Sequence, residues 1–423
     1  MRIKTGLPIF VLSCLMCLVL GARAADWPGL LGPNADGTAP DTHLIHSFPP
    51  TGPTVLWTVP IGPGFGGPAV SGGQVFILDR DSLQPSENRQ DIVRCLDLAT
   101  GKELWNYAYA APGKVEYDGT RSVPAVDAKA VYTIGVFGQV TCVDRATHTA
   151  RWSVNLLKDF GQPDGNRQYG VPQSPVLYKD WVIVAPQSKT VGFAALDKGT
   201  GKVVWQSPTI GAMTSTSPLI TTIDGVAQAI VQNETGAHGV NLQNGQLIWS
   251  CDFKCKGPIA QLTPIGDGRI FLTGNHKAGC AMFKIEHQGD AWKATDVWRL
   301  PDSHTSHIQR ALLIGRHLYI LCNTNEANEG LVCLDLDGKE MWPTAKAPSL
   351  DKGNLLYADG LIWSMDGNNG DLRIIQPEPA AYKELARAKL LAGNNIWGFM
   401  ALSDGRLLAR DKTQLKCVDL RVK

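Results

Sequence analysis

The sequence predicts an all-β chain closed into an eight-bladed β-propeller, with four antiparallel strands per blade. Three observations lead there. Tryptophans recur at Trp57, Trp105, Trp152, Trp205, Trp249, Trp298 and Trp342, 44 to 53 residues apart, which is the period of a propeller blade. Each interval repeats one order of apolar runs and tight turns. The two ends of the chain each carry part of a unit that neither completes alone.

Within an interval the first run follows a proline, as at Pro68, Pro124, Pro175, Pro218 and Pro264. A turn comes next: Gly72-Gly73, Asp224-Gly225, Asp267-Gly268, Asp359-Gly360 or Asp404-Gly405. Such pairs tolerate positive φ and join hairpin strands. A second β-rich run follows. A third ends in a small residue two positions before Asp, as at Cys95, Cys142, Ala195, Cys333 and Cys417. A second turn leads into the strand that carries the tryptophan. The four runs become strands A to D, from the centre outwards.

The A–B–C sets begin near residues 68, 123, 174, 217, 260, 309, 353 and 397, and the D strands fall near 57, 105, 152, 205, 249, 298, 342 and 386. Both series count eight. The chain therefore opens on a lone D strand, Val55 to Val59, and stops after a C strand, Leu415 to Leu420. Pairing these two completes the last blade and removes exposed sheet edges. Two units are degenerate. The D strand within 377–391 has no tryptophan, and its stretch 381–390 also reads as a helical turn. Residues 282–298 hold a longer insertion. Both are expected to be irregular blades in an unbroken ring.

Residues 1–24 read as a secretory signal: Arg2 and Lys4 precede the apolar run Ile9 to Leu20, and Ala22 and Ala24 frame a small-residue cleavage site. Residues 25–54 form a lead-in and 55–423 a single propeller domain. Cys14 and Cys17 lie inside the apolar run, ahead of the cleavage site, which disfavours a lipoprotein. No second long apolar stretch follows, so no span is expected in the mature chain, which is placed in the periplasm or outside the cell as a monomer. After cleavage 37 basic residues face 39 acidic ones. That near balance gives no electrostatic case for nucleic acid.

The segment from Ala195 to Trp205, with Asp197, Thr200 and Gly201, resembles the tryptophan-docking pattern of the quinoprotein-like, or PQQ-like, β-propeller repeat family. Cys95 to Trp105 matches it with Cys in the Ala place; Cys142 to Trp152 and Gly239 to Trp249 match more loosely. Asp26 to Gly37 resembles the opening of many exported propellers of this kind. The resemblance implies that the seven tryptophans named above wedge between neighbouring blades. It also offers two branches: dehydrogenases that bind pyrroloquinoline quinone (PQQ) with calcium, and BamB-like scaffolds without enzymatic activity.

The dehydrogenase branch implies a vicinal disulfide over the quinone and a Glu/Asn calcium site with an Asp beside it. This sequence has no adjacent Cys pair, no Glu, Asn or Asp that matches by motif, and no C-x-x-C-H haem site. No cofactor is therefore predicted, and PQQ with calcium remains the alternative, for oxidation of an alcohol or sugar. Cys95, Cys142, Cys333 and Cys417 sit at equivalent places on different blades, too far apart to bridge. Cys251 and Cys255 are a candidate disulfide in an exported chain, and Cys322 with Cys333 a second. His304 and His307 have metal-pair spacing but no evident third ligand.

The segments leading into each A strand crowd the channel mouth, where propellers bind ligands. Candidate ligand residues there are Arg121, Tyr169, Thr214, His307, Arg310, Asn354 and Trp397, with Arg121 and Arg310 suited to an anion. The competing reading is that such residues satisfy buried backbone and water. No catalytic constellation is legible. The expectation is a non-catalytic binding or scaffold protein whose partner is an envelope protein, a peptide or a polysaccharide.

Overall fold

A computed structural model describes residues 25–161, 168–211, 214–289, 291–326, 328–342 and 347–422; the signal reading of 1–24 lies outside them. Among the described residues, eight antiparallel sheets follow one another along the chain, seven with four strands and one with three. This is the eight-bladed propeller. Blades 1 to 7 span 69–110, 125–155, 176–208, 219–252, 263–300, 312–335 and 354–389. Blade 8 combines 401–419 with Thr54–Pro60.

Local chemistry explains the hairpins. In blade 4 Ile223 pairs with Val226, and the intervening Asp224 and Gly225 have φ of 47° and 77°. Two positive φ values make the primed turn whose twist matches the strands it joins. Ser71 and Gln74 flank Gly72-Gly73 in the same way, as do Ala358 and Leu361 around Asp359-Gly360. Inner strands are buried on both faces: Gln74–Arg80 is buried from its second residue on. The D strand Lys383–Lys389 instead alternates exposed and half-buried residues, because only one face meets a neighbour.

Closure is direct. Thr54 pairs with Asp419, Trp57 with Cys417 and Pro60 with Gln414. The degenerate units resolve as follows. The tryptophan-free stretch in blade 7 is a strand in register with Asp371–Gln376, not a helical turn. The insertion in blade 5 lengthens the hairpin Cys280–Gln288 and Ala291–Leu300. Its tip reaches blade 4, where the His287 amide donates to Asp224. Blade 6 is the irregular one. Among the described residues its D position shows the bridge between Leu334 and Glu340 and a bond from the Met341 amide to the Cys333 carbonyl.

Most of the D-strand tryptophans reach the C–D turn of the following blade. Indole N–H groups donate across the seam from Trp57 to Leu98 O (2.9 Å), Trp152 to Lys198 O (2.8 Å), Trp298 to Leu336 O (2.9 Å) and Trp342 to Glu378 O (2.9 Å). The ring sits on the turn's glycine: a Cβ on Gly101, Gly201 or Gly245 would fall within 2.7 Å of Trp57, Trp152 or Trp205. In blade 2 the glycine place is taken by His148, at φ 59°, and Trp105 stacks on its imidazole at 4.8 Å. Trp249 is the exception. Its indole donates within its own blade to Gln228, because blade 5 has a long hairpin where the receiving turn would be. The D strand of blade 7 has no tryptophan, and blade 8 beyond it has no C–D turn, since its C and D strands come from opposite chain ends.

The lead-in lies across one end of the ring. Trp27 exchanges two backbone bonds with Val70 of blade 1, and Pro28 O accepts from Val126 of blade 2. Ala35 O accepts from Arg310 at the start of blade 6, and Gly37 and Ala39 bond Tyr357 of blade 7. Blades 2 and 6 face each other across an eight-membered ring, so the chain between Pro28 and Ala35 crosses the axis. No helix among the described residues is long and apolar enough to cross a membrane.

Two measurements test this architecture. Deleting Val55–Val59 should abolish the folded soluble monomer, seen as loss of a cooperative melt and of the monomer peak in gel filtration. A monomeric variant melting like the parent would refute closure by the N-terminus. Gly73→Ala, at φ 75° with open space around the new Cβ, should cost about 1 kcal/mol. Gly201→Ala makes the same backbone demand and also puts a Cβ 2.6 Å from the Trp152 ring, so urea unfolding should show about 1–3 kcal/mol more.

Candidate functional site

The D–A loops converge on the face opposite the lead-in. Three of the seven residues expected there come together. Trp397, Tyr169 and Arg121 meet around two rings that the sequence reading did not single out, Phe65 and Tyr117. Phe65 stacks on Trp397 with centroids 5.5 Å apart and planes 28° apart. Tyr117 stands 5.6 Å from Trp397, 6.4 Å from Phe65 and 6.3 Å from Tyr169. The Arg121 guanidinium lies over Phe65 at 5.4 Å, and the Lys352 ammonium over Trp397 at 5.0 Å, both cation–π distances. Phe65 is buried, Trp397 half-buried, and Tyr117 and Tyr169 are 51% and 47% exposed.

Backbone packing fixes these rings. The Phe65 amide donates to Thr120 O at 2.7 Å, and a Cβ on Gly119 would fall 2.4 Å from the Pro63 carbonyl carbon. The two loops therefore lie back to back, and only glycine fits. Arg121 donates to the carbonyls of Gly119, Glu116 and Tyr117, which shapes the loop holding Tyr117. Beneath it Arg80 bonds Asp91 at 2.7 Å, both fully buried, and donates to Asp118 and to the carbonyls of Ala111 and Gly113. Burial pushes Arg121 down to about 10, so it stays cationic at neutral pH.

The other four point elsewhere. Thr214 is buried and bonded to Gln187, Thr216 and Gln232 O. Asn354 is buried and accepts the Met400 amide across the seam from blade 7 to blade 8. Arg310 turns inward, with its guanidinium on Thr263 and Ala35 O. His307 sits beside Lys352 and His276. Burial, then the Lys352 and His276 charges, lower its pKa to about 4 against the opposing pull of Glu326 and Asp351. His304 does not join it: its ring and amide both bond Glu329, each at 2.9 Å.

The cysteines correct another expectation. All eight in the described residues are free and buried. Cys251 faces inward on the D strand of blade 4 opposite Ala237, whereas Cys255 has its sulfur near Asn275; the expected bridge between them is not formed. Cys322 opposes Gly330 and Cys333 opposes Tyr319, so that pair is out of register too. Burial raises the thiols, to about 11 for Cys255, which disfavours thiolate chemistry.

Calcium holding a quinone needs clustered oxygen donors. Among the described residues no three His, Cys, Asp or Glu side chains come together as a metal site, and no vicinal disulfide exists. The residues present do not fit PQQ with calcium.

Comparison with known proteins agrees with the architecture. A sequence model of the outer membrane protein assembly factor BamB family matches residues 88–295. Over those residues this chain is similar to the PQQ-like β-propeller family. The dehydrogenase subunit of a quinone alcohol dehydrogenase from Gluconacetobacter polyoxogenes is 29% identical over 140 residues, which is 31% of this chain and 19% of that one. The chain thus spans about a fifth of that relative. Moraxella catarrhalis BamB superposes with a TM-score of 0.58 at 15% identity, covering 88% of this PQQ-like propeller and 98% of that chain. The quinohemoprotein alcohol dehydrogenase of Comamonas testosteroni gives 0.61 at 11% identity, over 94% and 81%. Both likenesses establish the fold alone.

The His307 environment yields a pH prediction. A histidine lowered to about 4 on folding leaves the unfolded chain binding more protons below its ordinary value, so stability is intact above about 6.5 and is lost as pH falls towards 4. The His307 resonances should titrate near 4 by NMR. Lys352→Met should raise that midpoint by less than half the shift, because burial is the larger cause. A midpoint near the ordinary value in the parent would refute the buried placement.

Proposed function

We propose that this chain is an exported, non-catalytic PQQ-like propeller that binds its partner through the D–A loop face. The observation that carries the reading is the contiguous group of Phe65, Tyr117, Tyr169 and Trp397 with Arg121 and Lys352, two of whose rings are about half exposed. Exposed clustered aromatics mark recognition surfaces. Among the described residues, nothing beside them supplies a nucleophile activated by a base, or a general acid and base in reach of one another. The partner is an envelope protein, a peptide or a polysaccharide. Export rests on the signal-like residues 1–24 and on the resemblance to exported propellers. The tryptophan contacts across the seams are read as docking contacts that keep the blades, and hence the loops, in register.

The alternative, a quinone-dependent dehydrogenase, is favoured by the partial identity to alcohol dehydrogenase subunits and opposed by the donor set. Titrating the mature chain with PQQ and calcium, with a dye-linked assay on alcohols and sugars, separates the two. The expected result is no saturable quinone binding and no turnover. Stoichiometric quinone uptake with dye reduction would overturn the non-catalytic reading.

A further inference from the structure

We infer that the rings at the channel mouth form a platform for an acidic polysaccharide, a chain of pyranose units bearing carboxylates; this rests on the binding-protein reading above and names its ligand class. Trp397, Tyr117 and Tyr169 follow one another at centroid spacings of 5.6 and 6.3 Å. Phe65 supports Trp397 and Tyr117 from a buried position. A closed, self-satisfied ring has no folding reason to leave two tyrosines about half in water. The C–H face of a pyranose is apolar with slightly positive hydrogens, and it complements the negative face of an aromatic ring. Successive sugars need successive rings, which this row supplies.

The charges choose among sugars. Among the described residues, neither cation beside the row has a bonded carboxylate. Arg121 spends its bonds on the carbonyls of Gly119, Glu116 and Tyr117. Lys352 donates to the Asn325 amide oxygen and lies over Trp397. The carboxylates nearby are engaged: Asp118 by Arg80 and Arg89, Asp351 by the Trp397 indole, and Glu116 by Gln168. A uronate placed over the rings would give Arg121 and Lys352 the charge-assisted bonds they lack. A proline-rich peptide would use the rings but leave both cations unpaired.

The test is calorimetric titration of the mature chain with oligosaccharides of galacturonate, mannuronate, guluronate and glucuronate, their carboxyl-reduced counterparts, and a proline-rich peptide. At least one uronate chain should bind, about tenfold or more tighter than its reduced form, and the affinity should fall with salt. Tyr117→Ala, Trp397→Ala and Lys352→Met should each weaken it by about tenfold. Tyr117 is exposed, so its variant should melt like the parent; this keeps the test valid if the Trp397 variant misfolds. Absence of uronate binding, equal binding of reduced chains, indifference to Tyr117→Ala, or binding of the peptide alone would each overturn the assignment. Such a failure without quinone uptake leaves the non-catalytic reading standing. Quinone uptake with turnover removes that reading whatever the sugars do.

Discussion

The sheet between Thr54–Pro60 and Gln414–Asp419 is the constraint on which the rest depends. Every other hairpin joins neighbours in sequence, but this one joins Thr54 to Asp419. Its loop-closure cost grows only slowly with chain length, whereas an open ring would expose a full strand edge. The closing strand also enters a continuous core. Trp57, Leu415 and Cys417 belong to one apolar cluster that includes Val70, Val75 and Leu96 of blade 1 and Leu356 and Trp363 of blade 7. Closure is thus bound to packing across three blades, and hydrophobic burial there resists opening of the seam.

The defects in the tryptophan repeat have a cause outside the blades that show them. A D-strand indole docks where a C–D turn of the next blade comes within its reach, most often a turn with a glycine or with a residue such as His148 at positive φ; the turn that receives Trp342 has neither. Blade 5 carries its C–D turn, with Gly289, at the end of a long hairpin, and Trp249 of blade 4 bonds within its own sheet. Blade 8 has no C–D turn, and the D strand of blade 7 carries no tryptophan. Sequence irregularity in one unit therefore reports the geometry of its successor.

Period and turn chemistry are local, and so strand count, hairpins and the closing pair were legible from residues alone. Among the described residues blade 6 has three strands, and Trp342 keeps its seam bond to Glu378 O. The path of the lead-in was not legible, because its contacts with Val70, Val126 and Tyr357 are backbone bonds that carry no side-chain signature. At the mouth, position in a D–A loop was legible but side-chain direction was not. Arg310 and Thr214 lie next to A strands as expected and then turn inward to satisfy buried partners. Phe65 and Tyr117 were missed because loops have no period; comparing equivalent loops would have shown an aromatic in four of them, at Phe65, Tyr117, Tyr169 and Trp397. Cys251 and Cys255 read as a loop pair because the end of the D strand, at Asp252, is not marked in the sequence.

The aromatic row and the closing seam occupy the same sector. Its rings come from the loops that lead into blades 8, 1, 2 and 3, with Lys352 from the loop into blade 7. The chain ends meet in the middle of that set. Phe65 follows the closing strand by only a few residues, and Trp397 precedes the last A strand. Their 5.5 Å stacking therefore exists only when the two ends are paired. The mouth loops on the far side, around Thr214 and Arg310, are spent on internal bonds, and the lead-in crosses the opposite end of the channel. The aromatic row is thus confined to one sector of one face, and the pairing that makes the fold also brings that sector together.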